Sequence, residues 1–148
     1  MGGTIGGAFQ YESSRAEGNF AEFQANTNAR FAELESQQVL EAGKRDAQQF
    51  GKMVKQAVGE QRVGFAAAGI DVSAGGTVAE VRADTEIIGR LDQLTIKNNA
   101  WKEAWGLRAE AMQTRFQGRY DKMSARNRGR GALISGFASD AEKAAKMG

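Results

Sequence analysis

The chain contains no proline in its 148 residues. Proline breaks helix interiors, because it lacks a backbone N–H and its ring clashes with the preceding turn. A chain without it can form helices much longer than the roughly 12 residues typical of globular proteins. Apolar residues recur every three or four positions over two long stretches, which predicts two long helices.

The first predicted helix runs from about Phe20 to Ala67. Its early part carries apolar residues at helical spacing, and its later part, from Leu40 to Gly64, follows a heptad pattern of mostly small residues. The two registers do not join smoothly, so we expect a kink or a change of partner near residues 36–40. Residues 1–19 are glycine-rich and weakly patterned, and we predict a flexible arm there.

A turn is predicted at residues 69–77. Gly69 suits the left-handed residue that ends many helices. The run from Thr77 to Glu80 has the spacing of a capping box, in which the Thr77 hydroxyl would accept from the backbone N–H of Glu80. The residues assigned to the turn and its cap are Gly69, Gly75, Gly76, Thr77 and Glu80.

The second predicted helix runs from Val78 to about Arg128, and its apolar stripe stays on one side because every step is three or four residues. Gly129 and Gly131 interrupt the pattern, so residues 129–148 are expected to form a short C-terminal helix or tail. The predicted fold is all-α: a long antiparallel helical hairpin, coiled-coil-like, over residues 20–128.

Two helices alone cannot cover both apolar stripes, so we expect a homo-oligomer. Trp101 and Trp105 lie one turn apart on the stripe and are predicted to be hairpin core. The alternative is that they anchor a partner surface or a membrane interface. The residues assigned to the assembly seam are Phe50, Val54, Leu91, Leu94, Trp101, Trp105, Met112 and Phe116.

Charge is unevenly distributed. Residues 101–148 carry ten Lys or Arg and five Asp or Glu, although the net charge of the whole chain is only +2. Bases on a long helix usually form a solvated surface, but here they could also contact nucleic acid phosphates without reading sequence. The candidate DNA-facing residues are Arg115, Arg119, Lys122, Arg126, Arg128 and Arg130.

Cysteine and histidine are both absent. The chain therefore lacks the commonest general base and the usual nitrogen and sulfur metal ligands. No nucleophile elbow, phosphate loop or clustered acidic loop is evident, so we predict no enzyme activity, no cofactor and no metal. No stretch has the roughly 18 apolar residues of a membrane span, and no secretory signal is visible.

The segment from Glu60 to Gly76, EQRVGFAAAGIDVSAGG, resembles the turn of the internal virion proteins of short-tailed phages. The second helix of that family also has an acid-rich start, here with Asp84 and Glu86. A Leu-Asp-x-x-Thr-Ile stretch follows, here from Leu91 to Ile96. The resemblance covers roughly residues 40–130.

That resemblance implies a component of the internal core of the virion near the portal, in contact with other internal virion proteins and the portal. Such proteins leave the capsid with or before the DNA. They are thought to help build a DNA conduit across the host envelope. The smallest of these internal virion proteins, which is the one that this chain resembles, is associated with the outer membrane. Two other functions stay open: a structural coiled-coil adaptor of the neck, tail or scaffold, and a helical non-specific DNA-binding protein.

Overall fold

Two long helices make up this computed structural model, which describes residues 2–72 and 76–146, without the side chains of residues 2–5, 143 and 144. Helix α1 spans Gly2–Ala67 and helix α2 spans Thr77–Lys146, with no strand in the described part of the chain. The helices pack against each other as a hairpin. The predicted all-α helical hairpin is therefore confirmed.

Both ends of the hairpin are more helical than the sequence indicated. The prediction of a flexible arm over residues 1–19 is wrong, because α1 begins at Gly2. The prediction of a separate short helix over residues 129–148 is also wrong, because α2 continues to Lys146. Buried glycines explain both differences. Gly7, Gly18 and Gly129 lie where the two helices touch, and that contact offsets the roughly 1 kcal/mol that a glycine costs in a helix.

Contacts within the chain divide it into two compact units. The terminal unit consists of residues 1–33 and 108–148, and the turn unit consists of residues 34–107. Each unit contains one segment of α1 packed against one segment of α2, and each can be described by itself.

Small side chains line the contact between the helices in both units. The largest side chain that is less than 2% exposed belongs to Ser36. Buried positions tend to recur at intervals of four, seven and eleven residues, instead of every seven as in the predicted heptad seam. In the terminal unit they are Gly7, Gly18, Ala29, Ala111, Gly118, Ala125 and Gly129; in the turn unit they are Ser36, Gly43, Ala47, Val58, Gly89, Ala100 and Ala104.

Glycine is required at some of these positions because the partner helix leaves no room for a side chain. In the turn unit, a Cβ added to Gly43 would overlap the Cβ of Ala100, and one added to Gly89 would lie 2.5 Å from Cγ1 of Val54. Gly43 and Val54 are eleven residues apart on α1, and the residues that they contact, Ala100 and Gly89, are eleven residues apart on α2 in the opposite direction. The helices are therefore antiparallel and keep one register through the turn unit.

The same close approach occurs in the terminal unit. A Cβ on Gly18 would lie 3.0 Å from the Cβ of Ala125, and one on Gly118 would overlap the Cβ of Ala25.

An eleven-residue repeat corresponds to about 3.67 residues per turn, close to the 3.6 of a straight helix. Small residues at this spacing therefore stay on the side of each helix that faces its partner.

The turn begins with the C-cap that Gly69 predicted. Gly69 has a φ of +75°, which a glycine adopts at little cost. The N–H of Ile70 donates to the carbonyl of Phe65 at 3.0 Å, and the N–H of Gly69 donates to that of Ala66 at 3.0 Å. These two hydrogen bonds define a Schellman motif, which ends α1.

The start of α2 differs from the predicted capping box. The backbone N–H of Glu80 donates to the carbonyl of Gly76 at 3.1 Å, and not to the hydroxyl of Thr77. Gly76 has a φ of +112° and takes the capping position, while Thr77 is the first helical residue. Gly75 lies outside the described residues.

Candidate assembly and nucleic-acid surfaces

The apolar stripe of α2 points away from α1. Trp101 is 56% exposed and Trp105 is 62% exposed, so the prediction that they form the hairpin core is wrong. Leu91, Leu94, Met112 and Phe116 are exposed as well. Of the residues assigned to the assembly seam, only Phe50 and Val54 are partly buried within the hairpin, and Val54 packs against Gly89.

The exposed stripe has the same eleven-residue spacing as the buried seam. One row on α2 consists of Trp101, Met112, Met123 and Ile134, and a second consists of Leu94, Trp105 and Phe116. Helix α1 has an equivalent row at Phe9, Phe20 and Phe31, each at least 65% exposed. The helices thus carry small residues toward each other and large apolar residues outward.

The accessible surface reflects this arrangement. It amounts to 10,895 Å², whereas a compact monomer of this length would expose roughly 7,300 Å². Rows of large apolar side chains that are more than half exposed are typical of protein–protein or membrane contact sites. The prediction that these residues form a seam between copies stays a prediction.

Two of the candidate DNA-facing bases form ion pairs across the terminal unit. Arg115 Nη1 lies 2.8 Å from Glu33 Oε1, and Lys122 Nζ lies 2.7 Å from Glu22 Oε2. These four side chains are 29–40% exposed. Their charges are therefore largely matched within the hairpin, and they are poorer phosphate ligands than an exposed, unpaired base.

The remaining bases separate onto two sides of the terminal unit. Arg126 lines a groove with Lys122, Arg15 and Asn19. Arg119 and Arg130 are exposed and directly follow the seam residues Gly118 and Gly129. Arg128 instead lines a groove that contains Glu17 and Asp121. Arg15 belongs with the candidate bases, although the sequence pattern, which followed α2 alone, did not identify it.

We call the side of the terminal unit that carries Arg15, Arg119, Arg126 and Arg130 the basic side. The opposite side, which we call the acidic side, carries Glu17, Glu110 and Asp121. A groove runs along the acidic side with small residues at its floor and amides at its rim. Its lining residues are Ala21, Gln24, Ala25, Asn28, Glu110, Gln113, Thr114, Gln117, Gly118 and Asp121.

The opposition of the two sides follows from helix geometry. A helix turns about 100° per residue, so residues directly before and directly after a seam position point to opposite sides. Glu110 directly precedes Ala111, whereas Arg119 directly follows Gly118. The excess of bases was evident from the sequence, but their segregation was not, because it depends on the small-residue seam that separates the sides.

Among the described residues, no group of three or more acidic, histidine or cysteine side chains is placed to hold a metal ion. In the same part of the chain, neither helix contains a segment long and apolar enough to cross a membrane.

The model of the T7 virus internal virion protein gp14 family matches residues 5–147. Neither the curated proteins nor the solved structures compared with the chain gave a match.

Proposed function

Since the chain belongs to the T7 virus internal virion protein gp14 family, we propose that it assembles into an oligomeric core near the portal. We further propose that it is ejected to help form the conduit that carries DNA across the host envelope. Membership of this family makes the chain an internal virion protein. The oligomeric core, the ejection and the conduit are what we propose in addition.

The outward apolar stripe is the observation that carries this proposal. Six large side chains of α2, from Leu91 to Phe116, are more than half exposed. Fully burying such a side chain contributes about 1.5–3 kcal/mol, whereas the Gly–Ala seam buries little apolar area per residue. Contact with further copies, with other virion proteins or with lipid would supply that burial.

Separation of the two stripes also supports a change of partner during ejection. The hairpin is closed by small residues such as Gly43 and Ala100, while Trp101 and Trp105 lie outside that contact. Leaving one assembly and entering another would therefore exchange the contacts of the outer stripe only. The helix pair itself would stay closed.

Complementation of a phage that lacks this chain tests the proposal. We expect wild-type protein supplied in trans to be present in purified particles and to leave them on infection. After infection it should sediment with the host envelope, and phage DNA should enter the cell. Trp101→Ser/Trp105→Ser should lower incorporation or DNA entry, because it removes two large apolar side chains from the stripe.

Lys102→Ser is the matched control, because Lys102 is exposed between the two tryptophans without belonging to the stripe. Wild-type protein that stays in the emptied capsid would contradict ejection. Protein that leaves the capsid but never sediments with the envelope would contradict the conduit.

Contact with DNA is a second candidate function, favoured by the exposed arginines of the basic side. Their guanidinium groups would bind phosphates in the filled capsid or along the conduit, with strong salt dependence and little sequence preference.

A further inference from the structure

The two sides of the terminal unit carry opposite charge at the same spacing. On α2, Arg108, Arg119 and Arg130 are eleven residues apart, and so are Glu110 and Asp121. Eleven residues advance a helix by about 16.5 Å. Charges repeated at one pitch on two opposite sides allow several pairs to form at once when identical surfaces are placed next to each other.

We propose that the basic side of one copy of this chain binds the acidic side of the next copy, with the two copies side by side and pointing in the same direction. The inference deepens the proposed function, on whose oligomeric core it rests, by naming the surfaces that copies use. The contact joins different surfaces of identical chains, and such a contact closes a ring when the rotation between neighbouring copies divides a full turn evenly.

Register supports this pairing. Arg119 and Asp121 are two residues apart, so copies at equal height have these groups offset by about 3 Å along the axis. An arginine side chain spans that offset easily. Arg108 and Glu110 repeat the relationship one interval earlier, so the same placement of the copies serves both pairs.

The shapes of the two sides also match. On the basic side, Met112 directly follows the seam residue Ala111, and Met123 lies eleven residues further along α2. Both are 58% exposed, so they form a ridge beside the arginines. The acidic side offers the groove with Ala21, Ala25 and Gly118 in its lining. Small residues at the floor leave room for the methionines of a neighbouring copy, and the acids at the rim would meet its arginines.

Each side has local charges of the opposite sign that the pairing must accommodate. Arg128 lines the acidic side beside Glu17, and Glu22 and Glu33 lie near the basic side. Glu22 and Glu33 are already paired with Lys122 and Arg115. The basic side therefore keeps its excess positive charge at Arg15, Arg119, Arg126 and Arg130.

Charge reversal tests the contact by sedimentation velocity on the purified full chain at low salt. The first variant is Arg108→Glu/Arg119→Glu and the second is Glu110→Arg/Asp121→Arg, so that both pairs set by the register are reversed. Each should weaken self-association by roughly tenfold or more, because like charges would then meet across the contact. The quadruple variant, which combines all four changes and keeps the net charge, should associate as the wild type does.

The quadruple variant should not join wild-type oligomers, because each of its two sides now has the same sign of charge as the wild-type side that it would contact. Arg45→Glu/Lys102→Glu is the control; it repeats the charge change of the first variant on exposed residues outside the terminal unit and should leave association unchanged. Circular dichroism checks that every variant keeps its helices, and a mixture of the two double variants provides a second test of restored pairing.

Three results would overturn the inference: a wild type that stays monomeric, double variants that associate normally, or a helical quadruple variant and a mixture that both fail to associate. The proposed function is judged separately, by the location of the chain in particles and infected cells. Oligomers that ignore all four substitutions would therefore remove this contact and leave that proposal standing.

Discussion

Gly43 of α1 lies directly against the methyl group of Ala100 of α2, so close that one additional methyl group on Gly43 would occupy the same space. Both positions are buried. This contact sets the separation of the helices in the turn unit.

Gly43→Ala should lower the free energy of unfolding by about 1–3 kcal/mol, because the helices must move apart to admit the methyl group. Gly59→Ala is the matched control. A Cβ on Gly59 meets nothing within 4 Å, so that change should raise stability by about 0.5–1 kcal/mol through helix propensity alone. Thermal and urea unfolding measure both. Adding Ala100→Gly to Gly43→Ala should recover much of the stability; a double variant as unstable as Gly43→Ala would show that this contact does not set the separation.

Gly69→Ala should destabilise the hairpin by about 1–2 kcal/mol, because φ at this position is +75° and an alanine there is strained. Gly69→Asn should cost less, since asparagine tolerates the left-handed region better. Urea unfolding of the two variants beside Gly64→Ala, a helical position with open space around it, measures the difference. Equal stability of the Ala and Asn variants would argue against the left-handed C-cap.

Glu33→Gln should lower the free energy of unfolding by about 0.5–1 kcal/mol, because it removes the charge that pairs with Arg115 at 2.8 Å. The effect should shrink as salt is added, since both side chains are more than a third exposed. The charge exchange Glu33→Arg/Arg115→Glu should restore most of the stability. A destabilisation that does not change between low and high salt would point to packing and not to the ion pair.

Arg119→Ala/Arg126→Ala/Arg130→Ala should weaken binding to a random-sequence DNA duplex. It should also reduce the slope of log affinity against log salt concentration by about 0.9 for each phosphate that the variant no longer neutralises. Arg115→Ala should have less effect, because its charge is matched by Glu33, and Arg128→Ala serves as a control from the acidic side. Fluorescence anisotropy with labelled DNA gives both quantities. An unchanged slope in the triple variant would rule out the basic side as a DNA surface.

The hairpin and its turn could be predicted from the sequence, because they depend on local signals. Absence of proline, helical spacing and the Gly69 C-cap each act within a few residues. The helical ends could not be predicted, because Gly7, Gly18 and Gly129 have low helix propensity. The contact that offsets this cost in helix stability is made with the other helix, whose residues are distant in the sequence.

The side of α2 that meets α1 could not be predicted from periodicity. The row of Trp101 and Met112 and the row of Ala100 and Ala111 both repeat every eleven residues, so either could have formed the hairpin contact. Side-chain size decides between them, since two helices approach closest through glycine and alanine. The assumption that large apolar residues form the core placed the tryptophans inside, whereas a seam of small residues places them outside.

The small-residue seam has a consequence for how this chain can change over time. If partners bind the outer rows as proposed, substitutions there, such as at Met112 or Phe116, would change that binding while the hairpin stays closed. Substitutions at Gly43 or Ala100 would instead affect the packing of the two helices against each other and not the choice of partner. Adaptation to a new partner would then be open to single changes at one set of positions while the other set stays fixed.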